Sequence, residues 1–341
     1  MLRRVDVQAL VEGVKGGDRA ALARSITLVE SRKPAHRGLA RELLRAITPM
    51  AGGSIRLGLS GVPGSGKSTF IDALGCQLIE QGHRVAVLAV DPSSSVSGGS
   101  VLGDRTRMGA LAQLDEAFIR PSPTGLHLGG VARATREAML LAEAAGYGVV
   151  IVETVGVGQS EVAVQGMVDT YLVLMLARSG DQLQGIKKGI LELAHVIAVN
   201  KADGDNAPEA RVTARELSIA MKLVSSQSAE RRVPVLTCSA LHRIGLSEVW
   251  EAVLEHRRFL EETVGLASYR ARQQVEWMWA QTEATLLDSL HGTRRMRELA
   301  HGLESRVGMG ELNAMDASAE LLAEFATQLP EQDWAQFDES G

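Results

Sequence analysis

The chain has 341 residues, a formal net charge of -5, 45% apolar residues and only 4% aromatic ones. That length allows one large core with appendages or two modest domains. The acidic balance argues against a nucleic-acid partner, because phosphate backbones call for a basic surface. Cys76 and Cys238 lie far apart and outside any CxxC spacing, which excludes a disulfide framework. No segment approaches the roughly 18 uncharged apolar residues of a membrane span, and the N-terminus has no apolar run of signal-peptide length. A cytoplasmic protein with no membrane partner is expected.

Residues 1–50 read as a helical N-terminal extension. Leu10, Val11 and Val14 repeat at helical spacing, Asp18 is a candidate N-cap, and Leu39, Leu43 and Leu44 share one face of a further helix. AGGS then breaks the chain.

From Ile55 the texture changes. Short apolar runs alternate with helical patterns: IRLGLSG, RVAVLAVDP, AFIRPS, YGVVIVET, TYLVLMLA, HVIAVNK and VPVLTCSA. Most are nearly continuous in Val, Ile and Leu, as strands covered on both faces should be. The alternation predicts an α/β fold, a doubly wound, mostly parallel sheet of about seven strands over 51–265, with its ligand at the strands' carboxyl ends. Beyond it, 266–341 reads as a helical C-terminal extension.

The first run leads into Gly61-Val62-Pro63-Gly64-Ser65-Gly66-Lys67-Ser68, which matches G-x-x-x-x-G-K-[ST] in full, and Thr69 continues into a helical pattern. Strand, glycine-rich turn and helix are the context that this phosphate cradle needs. Backbone N–H groups turn inward, the helix N-terminus adds partial positive charge, Lys67 reaches the β- and γ-phosphates and Ser68 ligates Mg²⁺. Three acids sit where strands or their loops end: Asp91, Asp104 and Glu153. Glu153 closes an otherwise apolar strand and begins Glu153-Thr-Val-Gly156, a form of the Asp-x-x-Gly switch. There Gly156 offers its N–H to a γ-phosphate. Arg105 and Arg107, in the loop with Asp104, either pair with phosphate or are solvated.

Asn200-Lys201-Ala202-Asp203 follows the sixth run and has the N-K-x-D form of a guanine site. Its carboxylate accepts from guanine N1–H and the amino group, a donor pair that adenine lacks. Ser239-Ala240-Leu241 matches the loop that meets guanine O6. The cofactors expected are GTP or GDP with Mg²⁺. Cys238 and His242 are four residues apart, but with no second Cys/His pair nearby they read as a buried thiol and a surface imidazole.

Glu153-Thr-Val-Gly-Val-Gly-Gln-Ser-Glu161, Gly180-Asp-Gln-Leu-Gln-Gly-Ile-Lys-Lys188 and Asn200-Lys-Ala-Asp203, with Asp91-Pro-Ser-Ser-Ser and Gly103-Asp-Arg-Thr-Arg-Met108, resemble the MeaB/ArgK/MMAA family between about residues 35 and 265. The resemblance implies a GTPase that chaperones adenosylcobalamin-dependent methylmalonyl-CoA mutase or a close acyl-CoA mutase. Such a protein gates cofactor loading and works as a homodimer through the C-terminal extension. It also implies that Asp91, Asp104 and Glu153 surround Mg²⁺. In the segment 178–188, which senses the mutase, Gln184 and Lys187 are the candidates for partner-stimulated hydrolysis. Val157 stands where a Ras-like enzyme has its water-positioning glutamine, and Gln159 is two residues further on, so slow intrinsic turnover is expected. The competing readings are a small-molecule kinase, which the ArgK label suggests, and a metal-delivery GTPase.

Overall fold

Seven strands form one sheet in the computed structural model, which describes residues 5–31, 33–90, 108–121, 128–154, 160–177, 188–225 and 231–328. The strands are β1 (Ile55–Gly61), β2 (Val85–Val90), β3 (Ala117–Arg120), β4 (Val149–Thr154), β5 (Thr170–Leu176), β6 (Val196–Asn200) and β7 (Val235–Thr237). Their order is β3-β2-β4-β1-β5-β6-β7, and every pairing is parallel. All seven apolar runs of the sequence are therefore strands.

The described helices are α1 (Val7–Lys15), α2 (Arg19–Val29), α3 (Pro34–Ile47), α4 (Lys67–Glu80), α5 (Leu128–Ala144), α6 (Ser160–Gln165), α7 (Lys188–Glu192), α8 (Ala207–Ser225), α9 (Leu246–Thr263), α10 (Leu266–Leu290), α11 (Arg294–Gly308) and α12 (Ala314–Gln328). Asp18 caps α2, accepting from the N–H groups of Ala20 and Ala21.

Residue parity divides the core into two layers. Leu57, Leu59, Val85, Val87, Val149 and Ile151 face α4 and α9, where Phe70, Leu74 and Trp250 meet them. Ala86, Leu88, Val150, Val152, Tyr171 and Val173 face the other way, toward α1–α3, α5 and α8. Because both faces are covered, the strands read as unbroken apolar runs rather than alternating ones.

A buried ionic network closes the amino end of the central strands. The Arg56 guanidinium donates to both Glu143 oxygens at 2.6 and 2.9 Å. Arg270, at the root of α10, donates to both Asp169 oxygens at 2.8 and 2.6 Å and to the carbonyls of Gly52 and Ser54. Asp169 also accepts from the Arg56 N–H. Nearby, the stacked rings of His195 and His256 lie 4.1 Å apart. His195 Nδ1 accepts from Tyr171 N–H, and His256 Nδ1 is bonded to the Thr170 hydroxyl.

The chain divides into two units, Met1–Gln273 and Gln274–Gly341. In the second, α11 and α12 pack through Met296, Leu303 and Phe325, and Arg295 pairs with Glu324. That unit also presents Val275, Met278, Trp279, Leu287 and Met315 to solvent, whereas Trp277 is half-buried. Among the described residues, no helix is long and apolar enough to cross a membrane.

Candidate functional site: a phosphate loop stitched to a base loop

β1, in the middle of the sheet, delivers the glycine-rich turn to the carboxyl edge, and α4 begins at its end. Gly66 is the N-cap of α4 in the left-handed region (φ 85°), and no side chain caps the helix there. A Cβ at Gly66 would lie 2.8 Å from Asn200 Nδ2, so space as well as φ demands glycine. An N-terminus without a side-chain cap presents its first N–H groups to an anion. Ser65 is fully buried, and its Oγ has no protein partner. Val62 is half-buried and Pro63 and Gly64 are exposed, so the outer rim of the turn is open.

Lys67 Nζ donates to the carbonyl of Gly61 at 2.8 Å, folding back over the turn. Burial lowers its pKa, while the Glu153 and Glu161 carboxylates push it up. Ser68 Oγ lies 3.5 Å from Glu153 Oε1, and Thr69 is exposed on the first turn. Glu153 is 3% exposed. It pairs with Leu59 across β1 and β4, on the face that carries α4. Its carboxylate and the Ser68 hydroxyl are hard oxygen donors of the kind Mg²⁺ takes, so the donor set fits that ion.

The base-loop residues converge on the same edge through Asn200, the last residue of β6, which is 1% exposed. Its Nδ2 donates to the Ser65 carbonyl at 2.8 Å, and its Oδ1 accepts from Ala240 N–H at 3.0 Å and from Cys238 Sγ at 3.7 Å. One side chain thus ties the phosphate turn to the loop after β7. Lys201 sits at φ 60°, an unusual value for a side-chain-bearing residue. Ser239 donates to Asp203 Oδ2 and itself accepts from His242 N–H. Leu241 is exposed in the loop that the bridge between Ser239 and Ile244 closes. Cys238 is buried, and burial pushes its thiol pKa up to about 12, so it is an inert thiol rather than a ligand.

The residues brought together are therefore Gly61 to Thr69, Glu153, Asn200, Lys201, Asp203 and Ser239 to Leu241. Asp91, Asp104, Gly156, Gln159, Gln184 and Lys187 lie outside the described residues, as do Arg105, Arg107 and Val157. Glu161, quoted in the motif but given no role there, is 1% exposed on the first turn of α6.

Comparison with known proteins agrees with this architecture. A family model described as methylmalonyl Co-A mutase-associated GTPase MeaB matches residues 22–295. "Probable GTPase Rv1496" of Mycobacterium tuberculosis is 54% identical, covering 93% of this chain and 94% of its own. "GTPase ArgK" of Escherichia coli is 48% identical over 85% and 88%. The mouse "Methylmalonic aciduria type A homolog, mitochondrial" is 42% identical over 94% and 80%. A crystal structure described as LAO/AO transport system kinase is 38% identical and superposes with a TM-score of 0.76, covering 96% of this chain and 99% of that one. With the phosphate turn, the Asn200 tie and the all-parallel sheet already in hand, the chain belongs to the MeaB family and is a P-loop GTPase that binds guanine nucleotide.

Proposed function

We propose that this GTPase serves an adenosylcobalamin-dependent acyl-CoA mutase, methylmalonyl-CoA mutase first among them, by gating cofactor loading and protecting the enzyme. The family description and the mouse relative's name support the client. The observation that carries the nucleotide chemistry is Asn200, which joins Ser65 of the phosphate turn to Ala240 of the base loop.

In this reading each segment of the site has its own task. The backbone of 61–66 and the N–H groups of Lys67, Ser68 and Thr69 cradle the phosphates. Lys67 leaves the Gly61 carbonyl for the β- and γ-oxygens, and Asp203, braced by Ser239, reads the guanine edge. Ala240 and Leu241 supply backbone donors to guanine O6. Ser68 and Glu153 hold Mg²⁺ with Asp91 and Asp104, and the ion would neutralise charge on the phosphates. Gly156 follows the γ-phosphate, while Gln184 and Lys187 answer to the client and complete hydrolysis. Positioning and charge neutralisation carry most of phosphoryl transfer, so a client that orders one segment can raise the rate by powers of ten. The extension 266–341 is the dimerisation element, its exposed Val275, Met278, Trp279 and Leu287 being the apolar surface available for it. We place the protein in the cytoplasm.

The kinase name of the 38%-identical structure keeps one second reading in view. Labelled GTP separates the two: a GTPase releases free phosphate, whereas a kinase labels an acceptor. Titrating the cognate mutase into the purified chain tests the client. The hydrolysis rate should rise severalfold and saturate, and a flat response through saturation would remove the chaperone role.

A further inference from the structure

We propose that Gln273 couples the nucleotide site to α10: a shift of α6 that follows the γ-phosphate reaches α10 through the Val168 carbonyl, with the Asp169–Arg270 pair as its pivot. The proposal rests on the reading that Gly156, just ahead of α6, answers to the γ-phosphate.

The turn between α6 and β5 has a fixed end and a yielding end. Asp169 is the fixed one. Its N–H donates to the Arg56 carbonyl at 3.0 Å, and its Oδ2 accepts from the Arg56 N–H, also at 3.0 Å. Arg270 donates to both of its carboxylate oxygens, and the same guanidinium holds the carbonyls of Gly52 and Ser54. The start of β1, the turn and the root of α10 thus meet at one fully buried carboxylate. Val168, one residue earlier, is held otherwise. Its N–H makes only a long bond, 3.5 Å, to the Gln165 carbonyl at the end of α6. Its carbonyl accepts from Gln273 Nε2 at 2.9 Å. Gln273 is 5% exposed and stands three residues after Arg270, so the two share one face of α10. Successive turns of α10 therefore grip successive residues of the chain leaving α6.

Packing makes a shift of α6 hard to absorb. A Cβ at Gly58 in β1 would lie 3.0 Å from Val168 Cγ2, 3.1 Å from Val164 Cγ1 and 2.7 Å from Tyr171 Cδ2. Val164 of α6 and Val168 of the turn therefore rest directly on the β1 backbone, and both are fully buried. An interior packed this closely passes a displacement on instead of taking it up. With Asp169 pinned to β1, the displacement falls on the Val168 peptide, whose carbonyl is bonded to α10. The charge pair at Asp169 keeps the root of α10 on the sheet, so the turns beyond Gln273 are the part that responds. Those turns carry the exposed Val275, Met278 and Trp279, and the presentation of that apolar surface follows the bound nucleotide.

The test is hydrogen exchange read by mass spectrometry on the full chain with Mg²⁺, saturated with GDP or with a non-hydrolysable GTP analogue. Two segments are compared, 160–165 of α6 and 274–285 of α10. In the parent chain both should exchange at different rates with the two nucleotides, the ratio at 274–285 being about threefold or more. Gln273→Met keeps the length of the side chain and removes its amide donor. It should leave the difference at 160–165 in place and bring the ratio at 274–285 close to unity. Gln273→Leu, equally without a donor, should do the same. A parent chain with a difference at 160–165 and none at 274–285 overturns the proposal. So does a Gln273→Met chain that exchanges faster at 274–285 with both nucleotides alike, its ratio kept, because that marks structural support alone. No difference at 160–165 in the parent is a separate result: it removes the γ-phosphate reading of Gly156, and the proposal falls with it.

Discussion

Asn200→Ala cuts the tie between the two halves of the nucleotide site. The side chain is 1% exposed, and its removal leaves two buried backbone groups, the Ser65 carbonyl and the Ala240 N–H, without the partners they have at 2.8 and 3.0 Å. A typical intramolecular hydrogen bond contributes about 1 kcal/mol net, and a buried group left unmatched costs roughly 1–3 kcal/mol. Two such groups give a cost of about 2–6 kcal/mol, part of which water entering the gap will relieve. Ser65 and Ala240 belong to the phosphate turn and the base loop, so the loss falls on nucleotide binding more than on the core. Equilibrium titration with fluorescent GDP should show affinity weakened by about 30-fold or more, since 1.4 kcal/mol is a factor of ten. Urea unfolding without nucleotide should move by less than the binding energy does. GDP affinity within threefold of the parent would refute the idea that one side chain sets the distance between the two loops.

Asp203→Asn should lose GTP affinity by about two powers of ten or more, as two charge-assisted hydrogen bonds are given up, and should gain affinity for xanthosine nucleotides. Unchanged GTP binding would take Asp203 out of the base site. Acid should destabilise the fold through the histidine pair. Burial, then Arg231, pushes the His195 pKa down to about 4. Burial, then His195 and Arg231, pushes that of His256 down to about 2. Both folded values lie below the unfolded one of about 6.5, so the unfolded chain takes up protons first as pH falls. Stability is thus complete above about pH 6.5 and is lost below it, by up to about 1.4 kcal/mol per pH unit for each ring, until the folded values are reached. Urea unfolding at pH 7.5 and 5.5 should differ by about 2.5–3 kcal/mol from this pair, and substituting Gln at both positions should flatten that difference. Arg270→Met leaves Asp169 buried without its guanidinium and should cost about 3–5 kcal/mol in unfolding free energy. A cost below 1 kcal/mol would mean that Arg56 N–H alone satisfies Asp169.

What the sequence disclosed and what it hid follow one physical rule. The strands were legible because both faces of the sheet are covered, so Val149 to Val152 and Tyr171 to Met175 are unbroken apolar runs. The phosphate and guanine residues were legible because each motif is contiguous and follows a strand. The ionic network was not legible. Arg56 and Glu143 stand 87 residues apart, Asp169 and Arg270 101 apart, and no local pattern marks charges that find each other only when β1, α5 and α10 assemble. Glu161 was hidden differently. It lay in plain view within a recognised motif, but only the closing of α6 over Gly58 reveals that this carboxylate is buried. The tie made by Asn200 was half visible, because the motif names the residue while its partners Ser65 and Ala240 are 135 and 40 positions away.

Isothermal calorimetry of the purified chain with GDP, GTP and ATP in the presence of Mg²⁺ bears most directly on a single groove gripping triphosphate and guanine together. Saturable heat with one site per chain for both guanine nucleotides, and none for ATP at the same concentrations, is the expected result. Equal heat for ATP would contradict the assignment of Asp203, and no heat for any of the three would contradict the whole account.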